Sequence, residues 1–226
     1  MSGDLAFTKE RIITDLLMLP GMLIGLSFHE FGHAYVSDKL GDPTPKMQGR
    51  VTLNPVAHID PVGFIALIFA GFGWGKAVEI DPRYYKNKRG GEIAVGLAGV
   101  TANLIIIVLF TIIDVFLYKG IIMAGSGTTK EILVILQDIM WYGIIVNVML
   151  MIFNLLPIPP LDGFGIITNI FDLRKYSWYY TVYNNGNLIL VMLIFFGATR
   201  VILSPLLNGI VNVIASVQQS LFMLIA

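Results

Sequence analysis

His29, Glu30, Phe31, Gly32 and His33 spell the pattern HExxH. On a helix, positions i and i+4 lie one above the other on a single face. Two imidazoles at that spacing can grip one metal ion. Glu30, one step round the helix, stands beside the ion rather than on it and can take a proton from water. The chain has three histidines and no cysteine, so thiolate sites, disulfides and a cysteine nucleophile are excluded. The competing reading is a pair of buried histidines satisfied by backbone carbonyls. Three ionisable groups together in an apolar helix, with no basic partner nearby, favour a cation instead. One zinc ion suits this donor set.

A catalytic zinc takes a third protein ligand and keeps one position open. His58 and the carboxylates are the candidates, and Asp162 is the strongest. It closes the run that begins at Asn154 and passes through Pro157, Pro159 and Pro160. The prolines remove backbone donors and prevent regular helix. Irregular backbone at membrane depth is tolerated where it lines a cavity, and Gly163 lets the chain turn tightly beside the carboxylate. A simple aspartate at a turn that ends a helix is the alternative.

The elements that would carry these residues are membrane elements. Of 226 residues, 56% are hydrophobic and 13% charged, the mean hydropathy is +0.76, and the formal net charge is zero. A soluble domain carries about 25% charged residues, so the chain falls in the membrane class, and nothing points to nucleic acid. Apolar runs predict spans over residues 12–39, 92–118 and 132–156, with Pro20 and Gly21 kinking the first. Residues 188–203 and 206–226 predict two spans, or one span and an interfacial helix, meeting at Ser204 and Pro205. Residues 62–74 are apolar but too short to cross, which suggests a re-entrant hairpin near residues 62–80. Residues 172–185 are polar and aromatic, an interfacial composition. The polar first eleven residues lead straight into the motif helix, which does not read as a removable signal peptide. The expected fold is an all-α polytopic bundle of about four to six membrane helices, one domain over residues 1–226, with its core at 12–170 and C-terminal helices at 186–226. Loops 39–50, 76–89 and 174–175 hold ten of the fifteen Lys and Arg. The positive-inside rule then places them in the cytoplasm, with HExxH and Asp162 near the same face.

These motifs resemble the site-2 protease family of intramembrane metalloproteases: HExxH on one membrane helix, then Leu161-Asp162-Gly163 about 130 residues later, preceded by Asn154 and Pro157. The stretch between also resembles the small bacterial and archaeal branch without a PDZ insertion. The matching residues there are Thr52-Leu53-Asn54-Pro55 and His58-Ile59-Asp60-Pro61-Val62-Gly63, then Gly75-Lys76-Ala77-Val78, with Ala77 where that branch has proline. Ala98-Gly99-Val100-Thr101-Ala102-Asn103 follows, with Val100 in place of proline. The resemblance covers roughly residues 15–170. It implies one zinc ion on His29, His33 and Asp162, with Glu30 as general base and then proton donor to the leaving amine. The implied substrate is another protein's transmembrane helix, usually of type II orientation, opened locally before cleavage. The setting implied is a multi-pass protein of the cell membrane in contact with lipid, its active site nearer the cytoplasmic face.

Three further residues are candidates for support. Asn103 and Asn154 lie in apolar helices, where a buried amide wants partners; they either bond the opened substrate and steady the site, or glue helices together. His58 either approaches the site or fixes the turn made by Pro55 and Pro61. Asn147, Gln137 and Asp138 read as packing or interfacial groups, and Asp114 as a snorkelling or interfacial carboxylate. Residues 64–80 can offer an edge to which an opened substrate pairs as an added strand. A zinc transporter or metal sensor is the alternative function. It would spread histidines and carboxylates along a path across several spans, and it has no use for the glutamate of HExxH.

Overall fold

The computed structural model describes residues 8–70 and 73–225. Ten α-helices are described: α1 (Lys9–Lys39), α2 (Thr44–Met47), α3 (Pro55–His58), α4 (Pro61–Ala70), α5 (Lys88–Met123), α6 (Thr128–Asn154), α7 (Asp162–Phe171), α8 (Trp178–Asn184), α9 (Gly186–Phe195) and α10 (Ala198–Ile225). Among the described residues, α1, α5, α6 and α10 are long and apolar enough to cross a membrane. The molecule is an all-α polytopic membrane protein.

Local chemistry sets the helix ends. Thr8 caps α1, its hydroxyl accepting from Arg11 N–H at 3.2 Å. Asn87 caps α5 by accepting from Gly90 N–H at 3.0 Å, which starts that helix four residues before its apolar run does. Gly125 and Gly127, with φ of 67° and 106°, make the turn between α5 and α6.

The first expected span is a single helix: α1 runs through Pro20 and Gly21, and Gly21 lets α6 approach, since a Cβ there would lie 2.3 Å from Gly143 Cα. One expectation needs correction. The C-terminal break falls at Gly197, whose φ is 72°, and not at Ser204 and Pro205. A glycine adopts that backbone without steric cost, whereas Pro205 forfeits one N–H bond inside an otherwise continuous α10. The last apolar region is thus one membrane-length helix preceded by the ten-residue α9.

The bundle closes where α5 packs on α1 and α6. Ile106, Ile107, Phe110, Ile144 and Val148 form the buried centre, with Ile24 and Phe28 of α1 against it. The outer faces expose Leu104, Ile105, Val108, Leu109 and Ile112, the pattern of a bundle solvated by lipid.

The expected hairpin has unlike limbs. Its outgoing limb is α4, and its returning limb, residues 73–81, is not helical. One isolated antiparallel bridge, Ile59 with Gly75, ties the return limb back to the end of α3. Close approach of the limbs requires Gly63, where a Cβ would sit 2.1 Å from Trp74 O.

Candidate metal centre

His29, Glu30 and His33 are buried on the last third of α1. Asp162 opens α7, directly after the proline-rich turn that follows α6. It does not cap that helix. Its carboxylate faces the histidines, with Oδ2 3.3 Å from the Nε2 of both His29 and His33. The turn depends on Gly163, where a Cβ would lie 2.2 Å from Leu155 O.

Each imidazole is held from behind. His33 Nδ1 lies 2.7 Å from Val95 O, and His29 Nδ1 lies 2.8 Å from Asn103 Oδ1. Both partners are acceptors, so each Nδ1 carries the proton and each Nε2 presents a lone pair. Those Nε2 atoms are only 3.0 Å apart, and the buried Asp162 Oδ2 finds no hydrogen-bond donor. Three acceptors converge, an arrangement that a bound cation relieves. The donor set of two imidazoles and one carboxylate therefore fits a metal ion, and His29, His33 and Asp162 are the group among the described residues able to hold one. Gly99 of α5 lies flat against the pair: a Cβ there would meet His33 Nε2 at 2.5 Å and His29 Cε1 at 2.6 Å.

Glu30 turns to the other side. Its Oε2 accepts from the backbone N–H of Val78 on the return limb at 3.0 Å. That limb is clamped at both ends. Lys76 N–H donates to His58 O at 2.8 Å, and the buried Arg50 guanidinium binds the carbonyls of Ala57 and, at 3.1 Å, Lys76. Asp42, fully buried at the end of α1, accepts from Ser37 Oγ at 2.8 Å, Thr44 N–H at 2.9 Å and Asp81 N–H at 2.7 Å. Burial pushes the Asp42 carboxyl up, but the bonds from Thr44, Asp81 and Ser37 outweigh it and hold the group below its ordinary range. Asp81 is brought down to about 2 by the side chain and backbone N–H of Arg83.

The histidines, Glu30 and Asp162 line a cavity of about 790 Å³ with Val78, Asn154 and others. The far wall is polar: Arg174 pairs with Glu92, and Asn169 bonds both, at 3.1 Å to Arg174 and 3.0 Å to Glu92.

The family of the chain follows from comparison with known proteins. The sequence profile of peptidase family M50 matches residues 17–197, most of the chain and both motif segments. The chain belongs to peptidase family M50. The M50 family is the site-2 protease family that the motif pair resembles. The chain is 38% identical over 150 residues to YwhC of Bacillus subtilis, named as a proposed zinc metalloprotease, covering 66% of each protein. It is 32% identical over 162 residues to Rip2 of Mycolicibacterium smegmatis, likewise named, covering 67% of this chain and 56% of that one. Rip2 of Mycobacterium tuberculosis is 27% identical over the same length. The matched stretch thus spans less than two thirds of these M50 relatives. No solved structure matches the chain significantly.

The supporting candidates separate. Asn103 touches the centre directly through His29. Asn154 lines the cavity while its Nδ2 donates to Leu150 O at 2.9 Å in its own helix. His58 lies off the cavity wall. Its Nε2 donates to Thr52 O at 2.7 Å, and its support reaches the site only through its backbone bond to Lys76. Val78, Gly99 and the Val95 carbonyl are site features that residue type alone did not mark.

Proposed function

We propose that this chain is an intramembrane zinc metalloprotease that hydrolyses a peptide bond within or beside a transmembrane segment of another membrane protein. The observation that carries the reading is the convergence of two imidazole lone pairs and an unpartnered carboxylate oxygen beside Glu30 in one cavity of a membrane bundle. The M50 match and the zinc metalloprotease names of its relatives support the same choice of metal.

His29, His33 and Asp162 hold the zinc. Bound there, the ion supplies Lewis acidity, drawing the pKa of water toward about 7 and polarising the scissile carbonyl. Glu30 takes a proton from the attacking water as its oxygen adds to the carbonyl carbon, then gives that proton to the amine nitrogen as the carbon–nitrogen bond breaks. Val78 N–H orients the Glu30 carboxylate for both transfers. The return limb at residues 73–81 offers non-helical backbone beside the cavity, to which an opened substrate segment pairs as an added strand. A closed helix shields its carbonyls by hydrogen bonds, so local opening precedes cleavage. The protein lies multi-pass in the cell membrane with the centre nearer the cytoplasmic face, where water and the basic loops meet.

The test is co-reconstitution with a panel of single-span membrane proteins, comparing wild type with Glu30→Gln by gel. Cleavage by wild type alone supports the reading. Zinc uptake into the liposomes without cleavage of any panel member favours transport instead.

A further inference from the structure

His29 owes its orientation to two asparagines on other helices. Asn103 of α5, whose Oδ1 meets His29 Nδ1, donates through Nδ2 to Gly25 O at 3.1 Å and to Asn147 Oδ1 at 3.0 Å. Asn147 of α6 donates through Nδ2 to Gly21 O at 3.1 Å and Gly143 O at 2.8 Å. Both amides are fully buried, and all four of their N–H groups are used. Glycine makes room for the chain, since a Cβ on Gly25 would fall 2.4 Å from Asn147 Oδ1.

The direction of this chain is forced from its far end. The Gly21 and Gly143 carbonyls only accept, so the Asn147 NH2 faces them and its Oδ1 faces Asn103. That oxygen only accepts, so Asn103 presents its NH2 there and its own Oδ1 to His29. His29 must then carry its proton on Nδ1 and aim the Nε2 lone pair at His33 and Asp162. Helix glue alone would need the bonds but not their direction. His33 has no such dependence, because a backbone carbonyl cannot be flipped.

We propose that Asn147 is a positioning residue for the metal centre, acting through Asn103 to fix the tautomer and ring plane of His29. This rests on the reading of His29 as a zinc ligand, and it assigns to Asn147 a role beyond packing.

The chain has only three histidines, so protein labelled with ¹⁵N-histidine gives a resolvable ring spectrum in detergent. His58 donates from Nε2 and is the internal reference for the opposite tautomer. Zinc-free wild type is expected to show His29 and His33 as Nδ1–H. In Asn147→Ala, His29 is expected to lose its single-tautomer signal while His33 keeps its own, and zinc affinity, read by competition with a chromophoric chelator, to fall about tenfold or more. Asn147→Asp, protonated when buried, keeps one donor and one acceptor and is expected to retain both properties. An unchanged His29 signal with zinc affinity within about twofold of wild type in Asn147→Ala would overturn the inference. Should that variant not fold, loss of the His29 signal in folded Asn147→Asp would overturn it equally. Wild type that binds no zinc overturns the metal-centre reading itself; wild type that binds zinc, with Asn147→Ala unaltered, overturns only the role of Asn147.

Discussion

Glu30 Oε2 accepts a hydrogen bond from the backbone N–H of Val78 at 3.0 Å. The bond joins the motif helix to the return limb of the hairpin, so Glu30 takes its aim from a segment 48 residues away in sequence. Val78→Pro removes the donor. A hydrogen bond to a charged group is worth about 1.5–3 kcal/mol, so kcat should fall about ten- to a hundredfold with zinc content unchanged. Cleavage kinetics in proteoliposomes, beside metal analysis, check both halves.

Glu30→Gln is expected to keep its zinc and lose about 10²- to 10⁴-fold in rate, the range for removal of a general base. Asp162→Asn should weaken both, because that oxygen closes the ligand set. Metal analysis of the two purified variants separates the roles.

Gly99→Ala adds one methyl group where His33 Nε2 would be 2.5 Å away and His29 Cε1 2.6 Å. The imidazoles must move, so zinc affinity should drop while the melting temperature of the zinc-free protein changes little. Alanine is otherwise the better helix residue. A lowered melting temperature with zinc affinity intact would contradict this.

Asp42 makes stability sensitive to acid. Its carboxyl is held below the ordinary value of 3.8 in the folded state, so its contribution is complete above that value and is lost as pH falls through the depressed one. Thermal melting from neutral pH downward should show wild type above Asp42→Asn, by about 1–3 kcal/mol for a buried acceptor replaced in part by a donor. The two curves should draw together as pH falls below 3.8 and through the depressed value.

Much of the site was legible because its chemistry is carried by residue type. HExxH and the aspartate after the prolines marked the four residues that the fold brings to one cavity, since ionisable groups are rare in apolar helices and their spacing is geometric. The Val78 N–H and the Val95 carbonyl carry no signature, because any residue supplies a backbone group. Asn147 reads in sequence as one more packing amide, and its link to His29 appears only when three helices meet. Gly197 and Pro205 compete for the same break in the C-terminal region, and composition does not rank a left-handed glycine against a proline that a helix absorbs. The outgoing limb, α4, is a short continuous apolar run, which periodicity does not assign to helix or strand.

The central claim is that His29, His33 and Asp162 hold one zinc ion. Zinc K-edge X-ray absorption on the purified Glu30→Gln protein tests it most directly. One ion per chain is expected, with two imidazole nitrogens at about 2.0–2.1 Å and a carboxylate oxygen at about 2.0–2.2 Å, and the carboxylate should disappear from the spectrum in Asp162→Ala. A zinc shell lacking two imidazoles, or one unaltered in Asp162→Ala, would contradict the account.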